Sequence, residues 1–124
     1  MKEIFSQTYA GTVNKVLSLD NPGPGGACHK YLSVVMPADA TSADDELQVE
    51  INFQKGPVKE VGVNGIQGEH LLAMLIDRLE GFQEGPYACE ENAGALASLK
   101  EAMEWMNART TDRTNRKVEG LNKA

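Results

Sequence analysis

The sequence predicts an α+β protein, with an N-terminal antiparallel β-sheet followed by a C-terminal two-helix hairpin. Three observations carry that prediction. Apolar and polar residues alternate without fault through ELQVEINFQ (46–54), the period of a strand with one buried and one wet face. Beyond residue 68 the apolar residues change to three-to-four spacing, the period of a helix. Gly-, Pro- and Asp-rich segments, DNPGPGGA (20–27) and PADATSADD (37–45), interrupt the first half as loops.

Taken in order, residues 3–18 form a weaker strand candidate. HKYLSVVM (29–36) alternates with Leu32, Val34 and Met36 on one side. In 46–54 the apolar side is Leu47, Val49, Ile51 and Phe53. PVKEVGVNGI (57–66) reads as a further strand through Val61 and Val63, with Asn64-Gly65 as a turn. The first helix covers EHLLAMLIDRL (69–79), where Leu72, Leu75, Ile76 and Leu79 make a stripe that Phe82 continues. GFQEGP (81–86) breaks it. The second helix begins near Cys89, with Glu90 and Glu91 at the positive end of its dipole, and Leu96, Leu99, Met103 and Met106 as its stripe. Gly120 is its expected stop.

A chain of 124 residues makes a single domain, here divided into a sheet part (1–66) and a hairpin (67–120). The net charge of −6 argues against a general nucleic-acid binder and against docking on an anionic membrane. The N-terminal residues do not read as a signal peptide, and no apolar run approaches the length of a membrane span. Cys28 and Cys89 lie far apart, with no CxxC, and are expected to be free thiols in a reducing cytosol.

Charge is unevenly placed. Residues 1–106 hold 7 basic and 16 acidic side chains, whereas 107–124 hold 5 basic and 2 acidic. Within that basic end Arg109, Arg113 and Arg116 stand at i, i+4 and i+7, on one helix face. Cations at a helix C-terminus also serve the dipole and solubility. All three are arginine, however, the residue that grips phosphate in a bidentate fork. Thr110, Thr111, Thr114 and Asn115 add polar groups between them. At the corner between the helices Phe82 offers a stacking face and Asn92 a reader of a base edge, although Phe82 also reads as the last core residue of its helix.

Seventeen residues separate Asn92 from Arg109, roughly 25 Å along a helix. One chain therefore does not bring both to one small ligand, but two antiparallel hairpins do. A helix from about residue 89 to 117 is roughly 40 Å long, against a radius of gyration of about 14 Å for such a chain. Its overhanging end, with Trp105 and Met106 near the exit, points to a homo-oligomer.

The run 53–120 resembles the phage anti-Thoeris sponge family. The resemblance rests on FQKGP (53–57), GVNG (62–65), RLEGFQEGPYACEEN (78–92) and ARTTDRTNRKVEG (108–120), with CHKYLSV (28–34) in support. Its hairpin is similar to that of phage anti-CBASS sponges. The resemblance implies a non-enzymatic protein that binds and hides a cyclic ADP-ribose isomer, the glycocyclic form made by Thoeris TIR enzymes. It implies that Phe82 stacks on the ligand's base with Asn92 beside it. Arg109 and Arg113 would hold the pyrophosphate and riboses, with Arg116 at the margin of the set. It further implies dimers that assemble as trimers of dimers into hexamers, and a separate site for cyclic trinucleotides, for which Lys30 and Lys55 are candidates. No cofactor or metal is expected, and the implied place of action is the cytoplasm of an infected bacterial host.

Two other readings remain. A hydrolase needs a base with a nucleophile or a metal, yet the chain has two histidines, His29 and His70, and no GxSxG, HExxH or CxxC. His29 beside Cys28 is at most half a zinc site, and 38–45 lacks the spacing of an EF-hand loop. The alternative is a small oligomeric interaction module whose basic helix tail grips an acidic partner.

Overall fold

A computed structural model describes residues 1–117, and the expected stop at Gly120 lies outside them. The chain forms two compact units, Met1–Gly56 with Val63–Gly65, and Pro57–Gly62 with the chain from Ile66 onward.

The first unit is a four-stranded antiparallel meander, β1 (Lys2–Tyr9), β2 (Thr12–Ser18), β3 (Lys30–Pro37) and β4 (Leu47–Asn52), in that spatial order. The single candidate at 3–18 is two strands. Ala10 and Gly11 both take positive φ, +50° and +73°, the two-residue reversal that matches strand twist. Alanine rarely adopts that conformation, so the turn carries no strong residue signal. β1 has a bulge between Glu3 and Phe5.

Register decides the faces. Leu32 pairs with Glu50 and Val34 with Gln48, whereas Tyr31 pairs with Ile51 and Val35 with Leu47. Leu32, Val34 and Met36 thus lie on the face opposite Leu47, Val49 and Ile51. The two expected apolar stripes do not build one common core, because each lines its own side of the sheet. Val34, at 8% exposure, is the only buried apolar side chain among the described residues, and Phe5, Tyr9, Leu47 and Val49 stand exposed.

After β4 the chain is held by side chains. The Asn64 amide accepts from the Lys55 N–H (2.8 Å) and donates to its carbonyl (2.7 Å), and the Asn64 N–H donates to Gln54 Oε1 (3.0 Å). Gly65 sits against the backbone: a Cβ there would lie 2.4 Å from the Phe53 carbonyl carbon. The sequence expectation of a strand through Val61 and Val63 is corrected. Residues Val58–Val61 form a one-turn helix, α1, following Pro57 and closed by Gly62 at φ +79°. A left-handed glycine ends a helical turn readily, and here it overrides the β preference of the valines.

The second unit carries α2 (Gly68–Gln83) and α3 (Glu90–Asn115). α2 continues through Gly81, which the sequence reading placed in the breaker, and Phe82 completes its stripe. Leu75 falls off that stripe and is exposed, while Leu72, Ile76 and Leu79 are half-buried. His70 Nδ1 accepts from the Gln67 N–H at 2.9 Å, a structural role at the start of α2. The helices run antiparallel: Lys100 pairs with Glu80 at 3.1 Å, and a Cβ on Gly68 would lie 3.1 Å from Met106 Cε. α3 therefore continues from Met106 to Asn115 past the level of the α2 start, roughly 13 Å at the helical rise. No side chain of either helix is buried. Among the described residues no helix is long and apolar enough to cross a membrane.

Candidate ligand-binding site on the hairpin

The elbow between α2 and α3 is pinned by Gln83. Its side chain accepts from the Cys89 N–H (3.0 Å) and donates to the Cys89 carbonyl (3.1 Å), a two-point grip on the residue that precedes α3. Cys89 Sγ accepts from the Asn92 N–H at 3.4 Å, filling the N-cap role. Asn92 Nδ2 donates to the Tyr87 carbonyl at 3.4 Å, which orients the amide, and Asn92 Oδ1 has no partner among the described residues.

Phe82 is more than the last apolar residue of α2. The Arg78 guanidinium lies over its ring, 5.1 Å from the centroid, and Tyr87 meets it edge-on at 6.5 Å and 89°. Phe82 is half-buried and Tyr87 is 73% exposed, so the elbow presents an open aromatic pair with a cation beside it. The sequence reading placed Phe82 and Asn92 here but missed Arg78, Tyr87 and Gln83. The i, i+4 spacing of Arg78 and Phe82 was a signal for the first of these. The other two depend on how the turn closes.

The opposite end carries the arginines. Arg109 is exposed and has no partner among the described residues, and Arg113 is half-buried. Arg116 is the C-cap residue, and its Nε lies 3.0 Å from Asp112 Oδ2 one turn back, so part of its guanidinium is already engaged. The Thr110 hydroxyl donates to the Met106 carbonyl at 3.2 Å. Trp105, 72% exposed, stands one turn before Arg109. α3 is continuous from Glu90 to Asn115. The structure thus ties Phe82 and Asn92 each to Tyr87 and sets Arg109, Arg113 and Arg116 along the end of α3, with Asn92 and Arg109 roughly 25 Å apart on one helix.

The fold and this site define a class: a small α+β protein whose sheet precedes a helical hairpin bearing an aromatic elbow at one end and an arginine-rich tip at the other. The chain belongs to the Acb2/Tad1 hairpin family. The family's hairpin-domain model matches residues 45–111, a span that contains Phe82, Asn92 and Arg109. It is also similar to Thoeris anti-defense 1 of Bacillus phage SBSphiJ7, 51% identical over 70 residues. That match covers 56% of this chain and 49% of the relative, so the chain matches about half of the relative's length.

Proposed function

We propose that this protein is a phage anti-defence sponge. It binds the cyclic ADP-ribose signal of Thoeris immunity, the glycocyclic form, and sequesters it without degrading it. The observation that carries the reading is the division of the site: an aromatic, amide-bearing elbow and an arginine tip stand at opposite parts of one continuous helix. In a two-fold pair of antiparallel hairpins, the elbow of one protomer meets the tip of the other, giving two equivalent sites per dimer. Phe82 and Tyr87 take the base, Asn92 reads its edge, and Arg109 and Arg113 hold the pyrophosphate and riboses. The exposed Met74, Leu75 and Trp105 supply apolar surface for that pairing and for dimers to assemble further into hexamers. The place of action is the cytoplasm of the infected host, where silencing a scarce signal demands nanomolar affinity, about −12 kcal/mol. The family relationship to Thoeris anti-defense 1 supports this reading. Cyclic trinucleotides of CBASS are a second ligand class on the same family ground.

The test is incubation with a cyclic ADP-ribose isomer, removal of free ligand, denaturation and recovery. Intact ligand in stoichiometric amount is expected. Converted product would identify an enzyme instead. A second reading, an interaction module with a basic helix tail, draws on the exposed Trp105 beside Arg109; it requires that no ligand be retained.

A further inference from the structure

An amide reads a ligand in a defined sense only once it is oriented, because its oxygen accepts and its nitrogen donates. The elbow orients Asn92. Its Nδ2 donates to the Tyr87 carbonyl at 3.4 Å. The reversed amide would set Oδ1 against that carbonyl, one acceptor facing another, so the partner fixes the assignment. The donation spends one of the two Nδ2 protons. What remains on this half-buried side chain is Oδ1, without a partner among the described residues, beside one N–H. Adenine presents the complement, a donating 6-amino group beside an accepting ring nitrogen.

Both anchors of Asn92 trace back to Gln83. The Asn92 N–H is accepted by Cys89 Sγ at 3.4 Å, and Gln83 grips Cys89 at both its N–H (3.0 Å) and its carbonyl (3.1 Å). The Asn92 side chain is held by the Tyr87 carbonyl, inside the turn that this grip closes. Backbone bonds inside the turn are longer, from the Gly85 N–H to the Phe82 carbonyl (3.2 Å) and from the Ala88 N–H to the Gly85 carbonyl (3.3 Å). Gln83 spends its acceptor and one donor on Cys89, so it acts through Asn92 and not on a ligand. We infer that Gln83 is a positioning residue: it fixes the Asn92 amide so that Oδ1 accepts from an amino group on the base, and the elbow thereby prefers a 6-aminopurine to a purine without that amine. This role rests on the proposed placing of the base at the elbow. It adds the residue that sets the specificity of that site, and the chemical group that the site selects.

The test compares two rings by calorimetry on the full chain: the glycocyclic ADP-ribose isomer, and the same ring with unsubstituted purine in place of adenine, which lacks only the 6-amino group. Wild type should bind the adenine ring about tenfold more tightly, because the purine ring leaves Oδ1 without its donor. Gln83→Met keeps the length and helix preference of the side chain but removes both bonds to Cys89. With helix content and native mass unchanged, it should weaken binding of the adenine ring by about tenfold and of the purine ring little, so that the preference collapses. Should Gln83→Met fail to fold, Gln83→Glu carries the same comparison, since it still accepts from the Cys89 N–H but has no proton for the Cys89 carbonyl. Asn92→Ala should abolish the same preference, and adding Gln83→Met to it should lower the preference no further. A Gln83 variant that weakens both rings equally, and so keeps the ratio, would overturn the positioning role. Equal binding of both rings by wild type would overturn the selection of the amine while leaving the proposed function in place. Retention of neither ring would overturn the proposed function and this role with it.

Discussion

The guanidinium of Arg78 lies 5.1 Å from the centroid of the Phe82 ring, one turn earlier on α2. One face of the Phe82 ring is therefore already met by a cation, and under the proposed function the rest of the ring and the exposed Tyr87 are left for the ligand. In the proposed complex, a base at the elbow is flanked by the Arg78 charge in addition to the arginines of the partner's tip. Arg78→Ala should weaken binding of the cyclic ADP-ribose isomer by about 1 kcal/mol, and Phe82→Ala by about 1–3 kcal/mol. Both are read by calorimetry. Tighter binding by Arg78→Ala would mean that the guanidinium obstructs the ring.

Arg109 and Arg116 differ in their commitments. Arg109 stands exposed and unpartnered among the described residues, whereas Arg116 is tied to Asp112 at 3.0 Å. Arg109→Ala and Arg113→Ala should abolish tight binding while helix content and native mass stay unchanged. Arg116→Ala should cost about 1 kcal/mol or less, as for other exposed pairs. Equal losses at Arg109 and Arg116 would refute the ranking.

The proposed sharing of the site between protomers has a quantitative consequence. Phe82→Ala and Arg109→Ala proteins should each fail to bind alone. When they are unfolded together and reassembled, half of the dimers are mixed, and each mixed dimer has one site with both defects and one with neither. About a quarter of all sites should then regain full affinity. No recovery in a sample shown by native mass spectrometry to contain mixed dimers would place the elbow and tip in separate sites.

Gly65 is fixed by contact, not by a special dihedral. A Cβ there would lie 2.4 Å from the Phe53 carbonyl carbon and 2.6 Å from the Asn52 carbonyl oxygen. Backbone atoms do not move aside as a side-chain tip does. Gly65→Ala should destabilise the sheet unit by about 3 kcal/mol, measured by chemical denaturation, and should loosen the Asn64 grip on Lys55.

Asp20 gives the sheet unit an acid sensitivity. Its folded pKa lies below the ordinary value, because the His29 and Lys30 amides outweigh the effect of burial. The carboxylate thus contributes stability that is complete above its unfolded pKa of about 4 and is lost as pH falls through the lower folded value. Thermal melts below about pH 4 should show that loss in wild type, and Asp20→Ala should flatten it.

Short-range pattern was legible and long-range pairing was not. The alternation of 46–54 produced β4, and the three-to-four spacing produced α2 and α3. The shared face of Arg109, Arg113 and Arg116 followed from helical period alone. Ala10-Gly11 hid a hairpin because its left-handed turn uses a residue that seldom takes one. Val61 and Val63 suggested a strand, yet Pro57 and Gly62 close a helical turn around Val58–Val61. At the elbow, Phe82 and Asn92 were visible as residue types, but Tyr87 joins them only because Gln83 clamps Cys89 and sets the turn.

The sequence by itself determined the strands β3 and β4, the two long helices, and how far apart Asn92 and Arg109 must lie, because period and rise are properties of the local backbone. The tertiary structure decided which sheet face each stripe occupies, which cation covers Phe82, and how Gln83, Tyr87 and Cys89 hold Asn92. Those outcomes depend on strand register and loop closure, where residues distant in the chain meet and a shift of one position turns every side chain to the other side.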